Sequence, residues 1–221
     1  MRRDGKARHN LGDKLKVMVD YFAGFGGASQ AFLNRENRST MNCPNSWKVR
    51  RFDIYDSGIE NLTQIDLLES PLVGLPYRPE LAWFSPPCDG FSQGFNALGP
   101  RTIRAGLPYE PDMTLANRVK EIIEHTKPQY WIVENVIGSI SWLEPLFGPP
   151  RQIIGPYVLF GNFPLLAISR DWKPESKAAM GPCELRPRLR AIIPLEISQS
   201  LFDAMTNQRS IFDYGVAAQN E

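Results

Sequence analysis

The stretch Lys16–Asn34, KVMVDYFAGFGGASQAFLN, sets the fold. Lys16–Phe22 is apolar enough for a first buried strand, Gly24-Phe-Gly-Gly makes a tight turn, and Ala28–Asn34 begins a helix. Glycines without Cβ atoms let a backbone approach a ligand closely, and the free N–H groups at a helix start attract an anion or carboxylate. The turn lacks both the Walker lysine–hydroxyl ending and a clean GxGxxG, which weakens a nucleotide-phosphate reading. On its own a strand–glycine–helix unit can equally be a structural turn, so the rest of the chain decides.

Downstream the same alternation recurs. Trp47–Phe52 is a second strand ending at Asp53, with a helix-like Gly58–Leu62 behind it, and Leu62–Asp66 a short third. Leu81–Phe84 is the fourth. Thr114 caps a helix through His125 whose apolar face carries Leu115, Val119, Ile122 and Ile123. Gln129–Val133 is the fifth strand, Tyr157–Phe160 and Arg190–Ile193 complete seven, and Leu195–Met205 is a closing amphipathic helix. Strands alternating with helices predict an α/β fold, a doubly wound, mostly parallel sheet flanked by helices. Ligands of such sheets bind beyond the carboxyl ends of the strands, where strand order reverses. Asp20, Asp53, Asp66, Cys88 and Glu134-Asn135 all fall at strand ends, so this rim is the expected active site.

With 221 residues, 43% apolar and 22% charged, the chain suits one globular domain. We expect residues 16–206 to form it, between a flexible basic tail (1–15) and a polar tail (207–221). Net charge is only +1, so any basic surface is local, as in the group Arg170, Lys173, Lys177, Arg186, Arg188 and Arg190. Cys43, Cys88 and Cys183 form no CxxC pair and only His9 and His125 are present, which argues against a metal site or disulfide framework and suggests a reducing cytoplasm. No apolar run approaches a membrane span or a signal-peptide core, so no membrane partner is expected.

The sharpest local feature is Trp83–Ser92, WFSPPCDGFS. Pro86 and Pro87 stop the fourth strand and stiffen its exit, presenting Cys88, an intrinsically strong nucleophile, at a rigid corner. Glu134 follows a hydrophobic strand, where a carboxyl's pKa rises and it can donate a proton near neutrality. Asp53 sits where an acid can accept hydrogen bonds from ribose hydroxyls. Arg188 and Arg190 alternate before an apolar run, pointing two guanidiniums the same way, suited to a base carbonyl or a phosphate.

Phe22-Ala-Gly-Phe-Gly-Gly, Pro86-Pro87-Cys88, Glu134-Asn135-Val136 and Arg188-x-Arg190, in that order, resemble the cytosine-5 DNA methyltransferase family over about residues 17 to 195. The resemblance implies a Rossmann-like, S-adenosylmethionine-dependent fold and methylation of a flipped-out cytosine in double-stranded DNA. It makes Cys88 the nucleophile on C6, Glu134 the partner of N3, Asn135 a support for the local backbone, and Arg190, beside Arg188, the holder of O2. It also gives Phe22, Ala23, Gly24, Gly26, Gly27 and Pro86 to the cofactor, Asp53 to its ribose, Ile54 to its adenine face, and Asp66 and Leu67 to the adenine edge. The long Gly-rich loop 89–113 would close over nucleic acid with Ser92, Gln93, Arg101 and Arg104, the two arginines near phosphates.

The chain departs from the family in three ways. Asp89 follows the cysteine in place of the usual Gln, and a carboxylate there should raise the thiol pKa. Only a basic, Pro-rich stretch of about residues 165–187 separates the sixth strand from Arg188 where the family carries a large target-recognition domain, so a specificity subunit or a cognate restriction enzyme is an expected partner. Gly161-Asn162 is not followed by the helix of the family's late motif. An RNA cytosine methyltransferase with the same chemistry, or an inactive cofactor-binding relative, are the alternatives.

Overall fold

Strands that are apolar at every position must be covered on both faces. On Leu81–Phe84 all four residues are buried, and they divide alternately. Leu81 and Trp83 join Met18, Phe32, Ile197 and Leu201 in one core layer, while Ala82 and Phe84 join Val19, Tyr21, Val119, Ile122 and Leu143 in the other. The computed structural model describes residues 15–36, 47–169, 171–174, 189 and 191–206. Arg188, Arg190, Cys43, Cys183, residues 1–14 and the tail 207–221 lie outside the described residues.

Seven strands form one mixed sheet: β1 (Lys16–Tyr21), β2 (Trp47–Asp53), β3 (Leu62–Gln64), β4 (Leu81–Phe84), β5 (Tyr130–Val136), β6 (Gln152–Ile154) and β7 (Tyr157–Asn162). Their order is β3-β2-β1-β4-β5-β7-β6. The first five are mutually parallel; β7 runs antiparallel to β5, and β6 antiparallel to β7. The helices are α1 (Gln30–Glu36), α2 (Leu98–Arg104), α3 (Thr114–Thr126), α4 (Ile140–Phe147) and α5 (Leu195–Thr206). Helices α1 and α5 cover one face and α3 and α4 the other. Ser198 of α5 donates to the Ala28 carbonyl (2.7 Å) and accepts from the Ala31 amide (3.0 Å), pinning α5 to the start of α1.

Several sequence expectations shift. The seventh strand is Gln152–Ile154, which turns through Gly155 (φ +56°) into β7, and not Arg190–Ile193. Among the described residues of that run, Ala191–Ile193 form no strand. Pro194 can donate no ladder hydrogen bond, and Ile193 instead lays its backbone across Gly27. Gly58–Leu62 is not helical: its carbonyls serve β2, Asn61 accepting from the Arg51 amide at 3.0 Å. Thr114 is the first residue of α3 and not its cap: the N-cap position is Met113, without a side-chain cap hydrogen bond. The Asp112 carboxylate before it accepts from both the amide (2.8 Å) and the hydroxyl (2.6 Å) of Thr114. Loop 89–113 contains α2 and a short 3-10 turn, Asp89–Phe91.

At the centre of the sheet Tyr21 stacks between Phe84 (centroids 4.6 Å apart) and Phe52 (5.4 Å). Its hydroxyl is buried and has no hydrogen-bond partner among the described residues. An unsatisfied buried hydroxyl costs free energy that a phenylalanine avoids. Tyr21→Phe should therefore raise unfolding stability by about 1 kcal/mol, read as a higher urea midpoint with an unchanged slope.

Candidate active site

The chain runs outward from β1 to β2 and β3, then crosses back to β4 on the other side of β1. The groove this reversal opens lies at the carboxyl ends of β1 and β4, and a cavity of about 440 Å³ occupies it. Its floor is the turn after β1. Phe22 leaves the strand at φ +58°, a left-handed conformation that a bulky residue adopts only where its surroundings impose it. Gly24 (φ +54°) faces open space, with nothing within 4 Å of where a Cβ would stand.

The other two glycines are needed by the protein itself. A Cβ on Gly27 would lie 2.4 Å from the Ile193 carbonyl, and one on Gly26 would lie 2.6 Å from the Arg51 guanidinium carbon. Gly27 lines the cavity and Gly26 stands behind it. Asp53 closes the turn from β2: one carboxylate oxygen accepts the Gly24 amide (2.8 Å) and the other the Tyr55 amide (2.9 Å). Ser57 donates to the Gly24 carbonyl at 2.6 Å.

Of the sequence-predicted cofactor residues, Phe22, Ala23, Gly24 and Gly27 line the cavity, as do Asp53, Ile54, Asp66 and Leu67, whereas Gly26 and Pro86 do not. The wall thus combines apolar side chains, glycine backbone and carboxylates. Sequence reasoning placed Asp20 at a strand end without making it a site residue, and it also missed Ile192. Both line the cavity. Asp20 was discoverable from its position in β1; Ile192 was hidden in a run that reads as strand.

Cys88 stands on the same wall, at the start of the 3-10 turn, where its carbonyl accepts the Phe91 amide at 2.9 Å. The corner that presents it is held from β5: the Asn135 side chain donates to the Pro86 carbonyl (3.2 Å) and accepts the Val136 amide (2.9 Å). Glu134 is 9% exposed and sits on β5 one residue past its last pairing with β4, the strand whose exit leads to Cys88. Burial, then the negative charges of Glu134 and Asp89, push the Cys88 thiol up to about 11.

Ser92, Gln93, Arg101 and Arg104 lie outside the cavity, in the folded segment after Cys88. Gln93 packs against Gly138, and Tyr109 donates to the Gly90 carbonyl at 2.8 Å. Arg104 folds back onto Phe95, donating to its carbonyl at 2.5 Å with the guanidinium 4.0 Å from the ring centroid. In this arrangement Arg104 serves its own loop. Among the described residues no group of three His, Cys, Asp or Glu side chains could hold a metal, and no helix is long and apolar enough to cross a membrane.

Two titrations follow. Burial, opposed by the Ser29 hydrogen bond and Arg51, raises Asp20 to about 7 from 3.8. The native state therefore binds a proton that the unfolded state releases between those values, so this residue's contribution to stability is full below about pH 4 and is lost as pH rises to about 7. Asp20→Asn should flatten that part of the stability–pH curve and leave the variant more stable than the parent at pH 8. Alkylation of Cys88 in a Cys43→Ser, Cys183→Ser background should climb steadily from pH 7 to 10 without a plateau. Asp89→Asn, removing an exposed and partly screened charge, should speed it about twofold at pH 8.

A family model described as C-5 cytosine-specific DNA methylase matches residues 17–141, more than half of the chain. Among solved structures, the Entamoeba histolytica methyltransferase EhMeth matches at 13% identity and a TM-score of 0.45, covering 71% of this chain and 55% of its own. A candidate DNA modification methyltransferase encoded within an Escherichia coli prophage matches at 16% identity and a TM-score of 0.40, covering 66% of this chain and 46% of its own. The chain thus spans about half the length of these solved structures. A search of curated proteins finds no match. The seven-stranded mixed sheet with flanking helices is a Rossmann-like methyltransferase fold, and the chain belongs to the C-5 cytosine-specific DNA methylase family.

Proposed function

We propose that this chain transfers a methyl group from S-adenosylmethionine to C5 of cytosine in double-stranded DNA, with residues 16–206 as the single catalytic domain. One observation supports this above the others: Cys88 lines the cavity built on the glycine turn, with Glu134 close enough on the neighbouring strand to perturb its thiol. S-adenosylmethionine, when bound, supplies a methyl group on an electron-poor sulfonium sulfur. Phe22, Ala23, Gly24 and Gly27 would hold its methionine part and Asp53 its ribose, through the lone pairs not already taken by the Gly24 and Tyr55 amides. Ile54, Asp66 and Leu67 would meet the adenine.

The target base must leave its stack to reach Cys88. Sγ gives its proton to solvent and bonds to C6, which makes C5 nucleophilic toward the methyl group. Loss of the C5 proton to water then restores the C5–C6 double bond as the C6–Sγ bond breaks, and N3 returns its proton to Glu134. Glu134, protonated, donates to N3 and draws electron density away from C6. Protonating Glu134 also removes one of the two negative charges that hold the thiol up, so base binding and thiolate formation favour each other. Asn135 keeps the Pro86–Cys88 corner at fixed distance from Glu134. Arg190, with Arg188, would hold O2. Ser92, Gln93 and Arg101 would contact the strand, with Arg104 doing so after leaving Phe95. We assign the protein to the cytoplasm, with target reading supplied in part by a specificity subunit or shared with a cognate restriction enzyme.

The test is a covalent trap on duplex DNA carrying 5-fluorocytosine, with S-adenosylmethionine present. Fluorine at C5 cannot leave as a proton does, so the enzyme should remain attached in a gel-stable adduct that disappears in Cys88→Ala. An adduct on fluorinated RNA alone would move the substrate to RNA. No adduct on either, with cofactor bound, would overturn activity of the isolated chain.

A further inference from the structure

Arg51 sits within β2 on the strand face it shares with buried Trp47 and Val49, and is 2% exposed. A buried guanidinium is tolerated only where its donors meet acceptors. Arg51 reaches three separate pieces of the pocket's frame. Nε donates to Ser29 Oγ at 2.8 Å, Nη2 to the Gly26 carbonyl at 3.2 Å and Nη1 to the Glu60 carbonyl at 3.1 Å. Ser29, wholly buried, donates its hydroxyl hydrogen to Asp20 Oδ2 at 2.6 Å. A chain of hydrogen bonds therefore runs from β2, through the residue before α1, to the carboxylate of β1, and that carboxylate is part of the cavity wall. The sheet register fixes its two ends, because Asp20 and Arg51 are directly paired. Arg51 itself does not line the cavity.

We propose that Arg51 is a positioning residue of the cofactor pocket: without touching the ligand, its guanidinium fixes the Ala23–Gly27 turn and the Asp20 carboxylate in the geometry that receives S-adenosylmethionine. The inference rests on the methyltransferase reading above. A turn outside the sheet ladder takes its shape from whatever satisfies its carbonyls, and the Gly26 carbonyl is held by Arg51. A Cβ at position 26 would stand 2.6 Å from the guanidinium carbon, and the residue's φ of +74° favours glycine, so the guanidinium packs directly against the turn. Three divergent acceptors call for a planar fork of donors; a lysine ammonium is a single point that cannot meet them all. The same guanidinium supplies the positive charge that faces Asp20 through Ser29, so the charge state of the wall and the shape of the turn share one support.

The test uses the full chain and the variants Arg51→Met, Arg51→Lys and Ser29→Ala. Binding of S-adenosylhomocysteine is measured by calorimetry well below the melting temperatures, alongside KM for S-adenosylmethionine and kcat on duplex DNA. Arg51→Met should weaken binding about tenfold or more and raise KM for the cofactor similarly, as expected for lost hydrogen bonds to a charged group, with kcat at saturation little changed. Arg51→Lys should fall between, and Ser29→Ala should lose about threefold. A merely structural role would lower kcat by reducing the folded fraction and leave KM alone. That result, or binding by folded Arg51→Met within twofold of the parent, overturns the proposal. Should circular dichroism show Arg51→Met unfolded, Ser29→Ala decides, and unchanged affinity there overturns it as well. Failure of the parent chain to bind S-adenosylhomocysteine sinks the cofactor reading, and this proposal with it, before any variant is compared.

Discussion

Everything at the rim depends on the register with which β1 pairs to both of its neighbours. Tyr21 lies opposite Phe52 on β2 and opposite Phe84 on β4, so β1 and β4 end level and β2 runs one residue further, to Asp53. Their aromatic rings stack across the sheet just beneath the rim, a rigid support with little freedom to shear. Asp53 at the end of β2, the glycine turn and the Pro86–Cys88 corner then stand side by side because the strands that carry them end within one residue of each other. A slip of one residue in either pairing would send the alternating side chains to the wrong core layer, so the two-sided burial of Met18 and Val19 defends the geometry of the site.

How much of this was legible depended on whether a feature's cause is local. The runs Lys16–Tyr21 and Leu81–Phe84 announce themselves as strands, and Pro86-Pro87 ends a strand wherever it occurs. Nonlocal causes were opaque. Ile192 and Ile193 are β-branched and read as strand, but the space left by Gly27, far away in sequence, draws them across the turn. Gln152–Ile154 is too short to signal a strand alone and exists because β7 offers it a partner. Arg51 looks like a surface cation within an alternating strand; only the carbonyls of Gly26 and Glu60 and the hydroxyl of Ser29 make its burial tolerable. The glycine turn was read correctly as a turn, yet of its three glycines only Gly24 leaves open space, and the other two answer to the protein's own packing.

Desolvation dominates the electrostatics of the cavity. It outweighs both the Ser29 hydrogen bond and Arg51 at Asp20, and it leads Glu134 and Asp89 in raising the Cys88 thiol. The resting pocket thus favours uncharged forms, a setting in which a nucleophilic sulfur is protonated and slow toward adventitious electrophiles. Reactivity then waits on an occupant that changes the local charge, which ties chemistry to a filled site.

β5 outruns β4. Leu81–Phe84 pairs with Tyr130–Val133, but Glu134–Val136 continue with β7 alone on their other side. The missing length of β4 is a notch in the sheet, walled by Glu134 and Asn135 and entered by two residues that have no N–H to offer. Such a notch is measured in whole residues: one fewer between Phe84 and Cys88 would draw the sulfur back by about 3.3 Å and reverse its side. Along a lineage, the segment beyond Phe91 can lengthen or shrink with little consequence to this socket. The four-residue step from strand to sulfur cannot, so it should keep its count even where almost every neighbouring letter has drifted.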